Sequence, residues 1–267
     1  MSSGRLPVLI YHHVGPLRAG TPRSLTVLPD RFREQMAWLA RHGFQPVTLA
    51  RTIAWWAGES ELPSRAVAIT FDDGYADLAE WAFPVLAAHD FPSTVFVVSA
   101  HLGETNSWDE ANGSAAHRLL DASQLQAWRA SVDVAGHSRT HARLGGLPPE
   151  QVEREIVGSK EDLEAVTNRP VRAFAYPYGA MTEVAKTIAS RHFDIAFGVR
   201  QGLNAPTTDR FDIRRTMVQH NETWLDLLLR VRTGRSRLHE GRVACGAIRC
   251  RARRRHPRAG RDASTRS

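Results

Sequence analysis

An α/β fold, specifically a distorted (β/α)7-8 barrel with its active site at the C-terminal ends of the strands, is predicted by three features of the sequence. Short apolar runs alternate with helical patterns, an order that makes strands parallel and helices their crossovers. About seven such units occupy roughly 230 residues, which suits closure into a barrel better than an open sheet. Reactive residues follow four separate strand-like runs, whereas an open doubly wound sheet gathers its chemistry mainly at one switch point.

The elements follow in order. Strand-like runs lie at Pro7–Tyr11, Pro46–Leu49, Ala66–Thr70, Thr94–Val98, Val132–Ala135, Ala173–Tyr176 and Ile195–Val199, with a further extended piece near Phe211–Val218. Asp30 is placed to cap a helix that carries Phe32, Met36 and Leu39 on one face and stops at Gly43. Leu78–Ala88 reads as a helix made irregular by Pro84, and Ser123–Ala130 as the next. Pro148–Thr167 is the longest, with Val152, Ile156, Leu163 and Val166 at helical spacing. Thr182–Arg191 and Thr223–Arg232 complete the set, while Gly15–Ser24 and Gly103–Ser114 read as loops.

Composition narrows the function classes. Apolar residues make up 42% and charged residues 24%, which excludes wholesale disorder, and two cysteines exclude a disulfide-stapled mini-protein. No run approaches the ~18–20 apolar residues of a membrane span. The net charge of +7 suggests an anionic partner until its position is considered. Residues 235–267 hold eleven Arg against Glu240 and Asp262, or +9, so +7 less +9 leaves −2 on the rest. Two domains are therefore expected: a catalytic domain over 1–234 and a basic, disordered tail over 235–267. A nucleic-acid partner is disfavoured because the body is slightly acidic, and a monomer is expected. No signal peptide is visible, so the chain as written reads as cytoplasmic or as having lost an export segment, and its location stays open.

Four motifs carry chemistry. In Thr70-Phe71-Asp72-Asp73-Gly74 an apolar run delivers two adjacent carboxylates into a glycine turn. Side-by-side acids are costly unless a cation compensates, although a plain Asp-Gly turn has the same residues. In His137-Ser138-Arg139-Thr140-His141 two imidazoles stand at i and i+4, which reads as one face of a helical turn. Together, one carboxylate and two imidazoles have the ligand count of a catalytic zinc-type site with a position left for water. Such an ion lowers the pKa of water from ~16 toward ~7. Asp73 then holds the metal and Asp72 takes the proton. In Pro177-Tyr178-Gly179 a defined turn presents an aromatic ring suited to a sugar. Finally, Tyr11-His12-His13-Val14 ends the first strand with two histidines. His12 is the better general acid, because His13 alternates to the other side with Tyr11.

These motifs, in this order, resemble the polysaccharide deacetylase family, carbohydrate esterase family four with its NodB-homology domain, over roughly Pro7 to Arg232. Tyr11–Val14 and Phe174–Gly179 are similar to the branch that deacetylates poly-N-acetylglucosamine, in which the catalytic His sits in the N-terminal strand. The resemblance implies a hydrolase of carbohydrate metabolism that removes acetyl groups from an N-acetylated glycan. It implies Asp72 as general base and His12 as general acid. Asp73, His137 and His141 would bind a divalent metal, Zn2+ or else Co2+ or Ni2+, and the Tyr178 backbone N–H would stabilise the oxyanion. Relatives of this branch usually act on exported polymers.

The sequence departs from the main branch twice. Ala175 stands where that branch has an Arg orienting the base, so Arg214 or Arg172 is expected to substitute. Leu238-His239 is a poor match to a late Leu-x-His motif. Three alternatives therefore stand beside the deacetylase: an O-acetyl glycan esterase, a small-molecule deacylase, and a degenerate carbohydrate-binding relative.

Overall fold

The computed structural model describes residues 4–17, 20–112, 115–220 and 222–235. Apart from Arg235, the expected basic tail, with Leu238, His239 and both cysteines, lies outside the described residues.

In chain order the elements are β1 (Val8–Tyr11), β2 (His13–Val14), β3 (Thr26–Val27), α1 (Pro29–Arg41), β4 (Gln45–Pro46), α2 (Leu49–Trp56) and β5 (Ala66–Phe71). Then come α3 (Asp77–Trp81), α4 (Phe83–Ala87), β6 (Ser93–Val97), α5 (Ala122–Trp128), β7 (Val132–Gly136) and α6 (Pro149–Thr167). The chain continues through β8 (Ala173–Ala175), α7 (Glu183–His192), β9 (Ile195–Phe197), β10 (Thr216–Met217) and α8 (Trp224–Thr233). The principal sheet runs β10-β1-β5-β6-β7-β8-β9, all parallel, with β4 beside β5. Residues 210–215 then hydrogen-bond to the β9 side: Ile213 N–H donates to Ala196 O, Gly198 N–H to Ile213 O and Arg215 N–H to Arg200 O, each at 3.0 Å. One segment thus touches β9 at Ile213 and, three residues later, β1 at Thr216. The curled sheet becomes the expected distorted barrel.

Alternation along each strand sorts two cores. Leu9, Tyr11, Val67, Ile69, Phe71, Val95, Val97, Phe174 and Tyr176 pack outward beneath the helices. Val8, Ala68, Phe96, Ala135, Ala173, Ala175, Ile195, Phe197 and Ile213 form the second cluster, on the barrel's interior parity. Continuing that parity past the strand ends reaches His12, Asp72, His137 and Arg215. Parallel strands buried on both faces read as unbroken apolar runs, as in the fully buried β5.

Several local expectations are corrected. Pro29 opens α1, so Asp30 lies in its first turn and not at the cap. The helix expected over Leu78–Ala88 is two short ones, broken at Ala82 with Pro84 just inside the second. Leu49 is not strand but the start of α2, capped by the Thr48 side chain accepting from the Arg51 N–H. Asp121, not Ser123, begins α5 through a capping box with Gln124. Among the described residues, no helix is long and apolar enough to cross a membrane.

Candidate active site

Asp72 and Asp73 leave β5 at the carboxyl end of the barrel. Asp72 donates its N–H to Tyr11 O and stays on the interior parity. Asp73 then turns left-handed at φ 70°, followed by Gly74 at φ 73°. That double reversal aims two consecutive carboxylates at different partners instead of at opposite faces.

His137 continues β7 inward, but the residues after it are no helical turn. Ser138 (φ 62°) and His141 (φ 58°) are left-handed, so the pair expected to share a helix face converges through a strained loop. Among the described residues, four of the seven non-glycine residues with positive φ are Asp73, Ser138, His141 and Tyr178. Backbone strain of this kind persists only where the surroundings over-determine it, and here it is concentrated at one end of the barrel. The loop's anchors are Glu155 and Asp162 of α6, which accept from Thr140 N–H at 2.9 Å and from Arg139 Nε at 2.9 Å.

The three expected ligands meet. Asp73 Oδ1 lies 3.3 Å from His137 Nε2 and 3.2 Å from His141 Nε2, and the three side chains offer donor atoms all within 4.8 Å of one another. Ligand bonds of 2.0–2.1 Å in a tetrahedral set put donors about 3.3 Å apart. All three residues are buried, and Asp73 Oδ1 has no hydrogen-bond partner. His137 Nδ1 faces Ala175 O at 2.8 Å, which fixes that nitrogen as the N–H and turns the Nε2 lone pair toward Asp73. Trp108 stacks on the His141 ring with centroids 4.7 Å apart. Buried oxygen without a partner, two convergent imidazoles and an outer carbonyl fit a zinc-type ion.

Asp72 is organised differently. Arg215 donates to it bidentately, Nη1 to Oδ1 at 2.6 Å and Nη2 to Oδ2 at 2.8 Å. Neither expected substitute for the missing family Arg does this. Arg172 pairs with Asp194 at 2.7 Å on the outside, and the Arg214 residue is exposed. The correction is one of parity: Ile213 and Arg215 face inward, Arg214 outward. Arg215 is fully buried, donates Nε to Gly198 O at 2.9 Å, and lies over the Phe96 and Phe197 rings. The extended piece Phe211–Val218 holds two Arg in succession, and sharing parity with the apolar Ile213 was the sequence signal that could have singled out Arg215.

Electrostatics follows from this packing. Burial pushes the Asp72 carboxyl up, but Arg215 and His137 more than offset that and hold it below its ordinary value. Burial likewise raises Asp73, while His141 and His137 hold it well below. His12 is half-buried at the end of β1, and burial lowers its pKa against the opposing charges of Asp73 and Asp72. Its Nδ1 has no partner. His13 is elsewhere: Nδ1 meets Asp77 Oδ2 at 2.7 Å and the ring stacks on Tyr75 with centroids 3.5 Å apart. Tyr178 follows β8 at φ 57°, with its ring edge-on to His141 at 4.5 Å and Arg143 4.3 Å above it. Its N–H meets no backbone acceptor among the described residues.

A family-wide sequence pattern described as polysaccharide deacetylase matches residues 59–193. The chain belongs to the polysaccharide deacetylase family. Among its relatives in that family, the Bacillus subtilis protein YxkH is 26% identical over 67% of this chain and 58% of its own length. The Staphylococcus epidermidis poly-beta-1,6-N-acetyl-D-glucosamine N-deacetylase is 26% identical over 74% of this chain and 70% of its own. The structure of IcaB from Ammonifex degensii superposes with a TM-score of 0.75 at 23% identity, covering 87% of this chain and 99% of that one. This deacetylase-family chain therefore spans less than two thirds of YxkH. Ala175 no longer marks a broken site, since Arg215 brings a guanidinium to the carboxylate from another strand.

Proposed function

We propose that the protein is a metal-dependent hydrolase that removes acetyl groups from an N-acetylated polysaccharide or oligosaccharide. The supporting observation is the convergence of Asp73, His137 and His141 beside an Asp72 held ionised by Arg215. Asp73, His137 and His141 would hold Zn2+, with Co2+ or Ni2+ as alternatives. When bound, such an ion supplies Lewis acidity for the acetyl carbonyl and acidifies water.

The chain's own groups do the rest. Asp72 removes the proton from the attacking water, and its Oδ2 is 4.0 Å from His137 Nε2, so base and ligand set share one small space. Arg215 fixes the orientation of that carboxylate, which a monodentate Lys would not. The Tyr178 N–H, presented by a left-handed turn, donates to the oxyanion as it develops. His12 gives its proton to the amine nitrogen as the carbon–nitrogen bond breaks, releasing acetate. Every group named in this reaction lies within residues 1–234.

The test is acetate release from an oligomer of N-acetylglucosamine with Zn2+, Co2+ or Ni2+ added. Wild type is expected to release acetate, and Asp72→Asn to lose at least two orders of magnitude. No release by wild type, or full rate in Asp72→Asn, overturns the reading. His12→Ala separates amide from ester chemistry. An amine leaves poorly without a proton, so the variant should fail on the amide; full retention on both substrates would remove His12 from the mechanism.

A further inference from the structure

The large apolar side chains left exposed among the described residues are Tyr178, Val184, Val199, Trp224 and Leu225. All five lie at one end of the barrel. Tyr178 is in the turn after β8, and Val184 is in the first turn of α7, which that turn feeds. Val199 comes two residues after β9, and Trp224 and Leu225 open α8 after β10. In parallel strands these are all carboxyl ends, the face that carries the candidate site. They also occupy neighbouring sectors. Residues 210–215 bond to β9, β10 pairs with β1, and β1 ends at His12. At the other end of the arc a Cβ on Gly179 would lie 2.2 Å from Val199 Cγ2, so the Tyr178 turn and Val199 are in direct contact.

From this arc, and resting on the activity proposed above, we infer that Trp224 is a specificity-determining residue: a platform for sugar units beyond the one being deacetylated. Three observations favour an extended glycan over other occupants. Tyr178 belongs both to the arc and to the reaction centre, its ring edge-on to His141 at 4.5 Å, so the arc begins at the candidate ligands. The apolar groups are spaced by exposed Arg200, Gln201 and Thr223 and by half-buried Gln219, which gives alternating apolar and hydrogen-bonding surface. Sugar rings present that same alternation of C–H faces and hydroxyls, whereas a second copy or a lipid surface calls for a contiguous apolar patch. Trp224 is the most exposed of the five at 56%, and a large aromatic left open on the face that carries the candidate site is suited to stacking on a ring face.

Trp224→Ala is a clean variant, because the α8 capping box is made by Thr223 and Asp226 and does not use the indole. Its kinetics are compared with wild type on the disaccharide and the pentasaccharide of N-acetylglucosamine, with zinc present. On the pentasaccharide KM is expected to rise about three- to tenfold with kcat unchanged. On the disaccharide neither should move, and Trp224→Phe should restore most of the loss. Equal kinetics of wild type and Trp224→Ala on both lengths would overturn the proposal. So would unchanged pentasaccharide kinetics in a variant that has lost vesicle co-sedimentation or concentration-dependent self-association. Wild type inert on every oligomer would instead overturn the activity itself, a different outcome.

Discussion

Arg215 shows how much one side chain decides. Burying a guanidinium and a carboxylate together is expensive, and the cost is offset by the two short parallel bonds to Asp72, the donation to Gly198 O and the Phe96 and Phe197 rings beneath the guanidinium. Removing one partner leaves a bare buried charge. Arg215→Ala is therefore expected to destabilise the fold by about 3–5 kcal/mol, read from denaturant midpoints at unchanged m-value. Arg215→Lys keeps the charge but cannot make the bidentate fork. It should fold, with kcat reduced on the order of 10- to 100-fold because the base is no longer aimed. A Lys variant with wild-type kcat would show that orientation of Asp72 does not matter. His12 was legible as distinct from His13 because strand residues alternate, and the two side chains do go different ways: His13 to Asp77 and Tyr75, His12 to the charge field of Asp72 and Asp73.

At the scale of elements, the site is built from strand ends plus left-handed turns. Gly179 illustrates the second device. It sits at φ 64°, and an added Cβ would lie 2.2 Å from Val199 Cγ2 and 3.0 Å from Cγ1. Gly179→Ala is expected to cost about 1–3 kcal/mol and to lower kcat by shifting the Tyr178 turn. Val199→Ala in the same chain should recover the part due to the clash but not the part due to φ, so the double-mutant cycle should show a favourable coupling. Strict additivity would mean that the two residues do not touch. Strands β5, β6 and β7 were legible as apolar runs. Helix α2 was not: the extended run Pro46–Leu49 takes in its first residue, residues 50–56 carry no expected element, and the Thr48 cap is the overlooked signal. The histidine pair was read with the wrong local geometry, since i and i+4 also converge when two left-handed residues fold the intervening loop.

At the scale of the whole molecule, candidate ligands from two separate strand ends converge, Asp73 after β5 and both histidines after β7. An ion held there binds the folded chain and not the unfolded one. Raising zinc to 100 times its dissociation constant should add about 2.7 kcal/mol. For a domain of this size that is a rise in Tm of about 5–10 °C, reversed by chelator and absent in His141→Ala. An unchanged Tm would argue against an ion at these residues, whatever the activity. The barrel is completed by Thr216–Met217 on β1 and tied to α8 by the buried Glu222–Arg230 pair, with Arg230 Nη1 also donating to Thr216 at 2.5 Å. Because all of this precedes residue 235, a chain ending at Gly234 should keep its kcat and KM. Loss of activity on that truncation would give the basic tail a role in the reaction.

By itself the sequence determined the alternation of strands and helices and the parallel barrel, and it nominated Asp72, Asp73, His137, His141, His12 and Tyr178 as the candidates to look for. Periodicity and short motifs are local properties, and local spacing records them. Only the tertiary structure decided which arginine meets Asp72, how the two histidines turn toward Asp73, and which apolar side chains remain uncovered. Those outcomes depend on the closing of the ring: residues 143 positions apart in the chain become hydrogen-bonded neighbours only once Phe211–Val218 lies between β9 and β1.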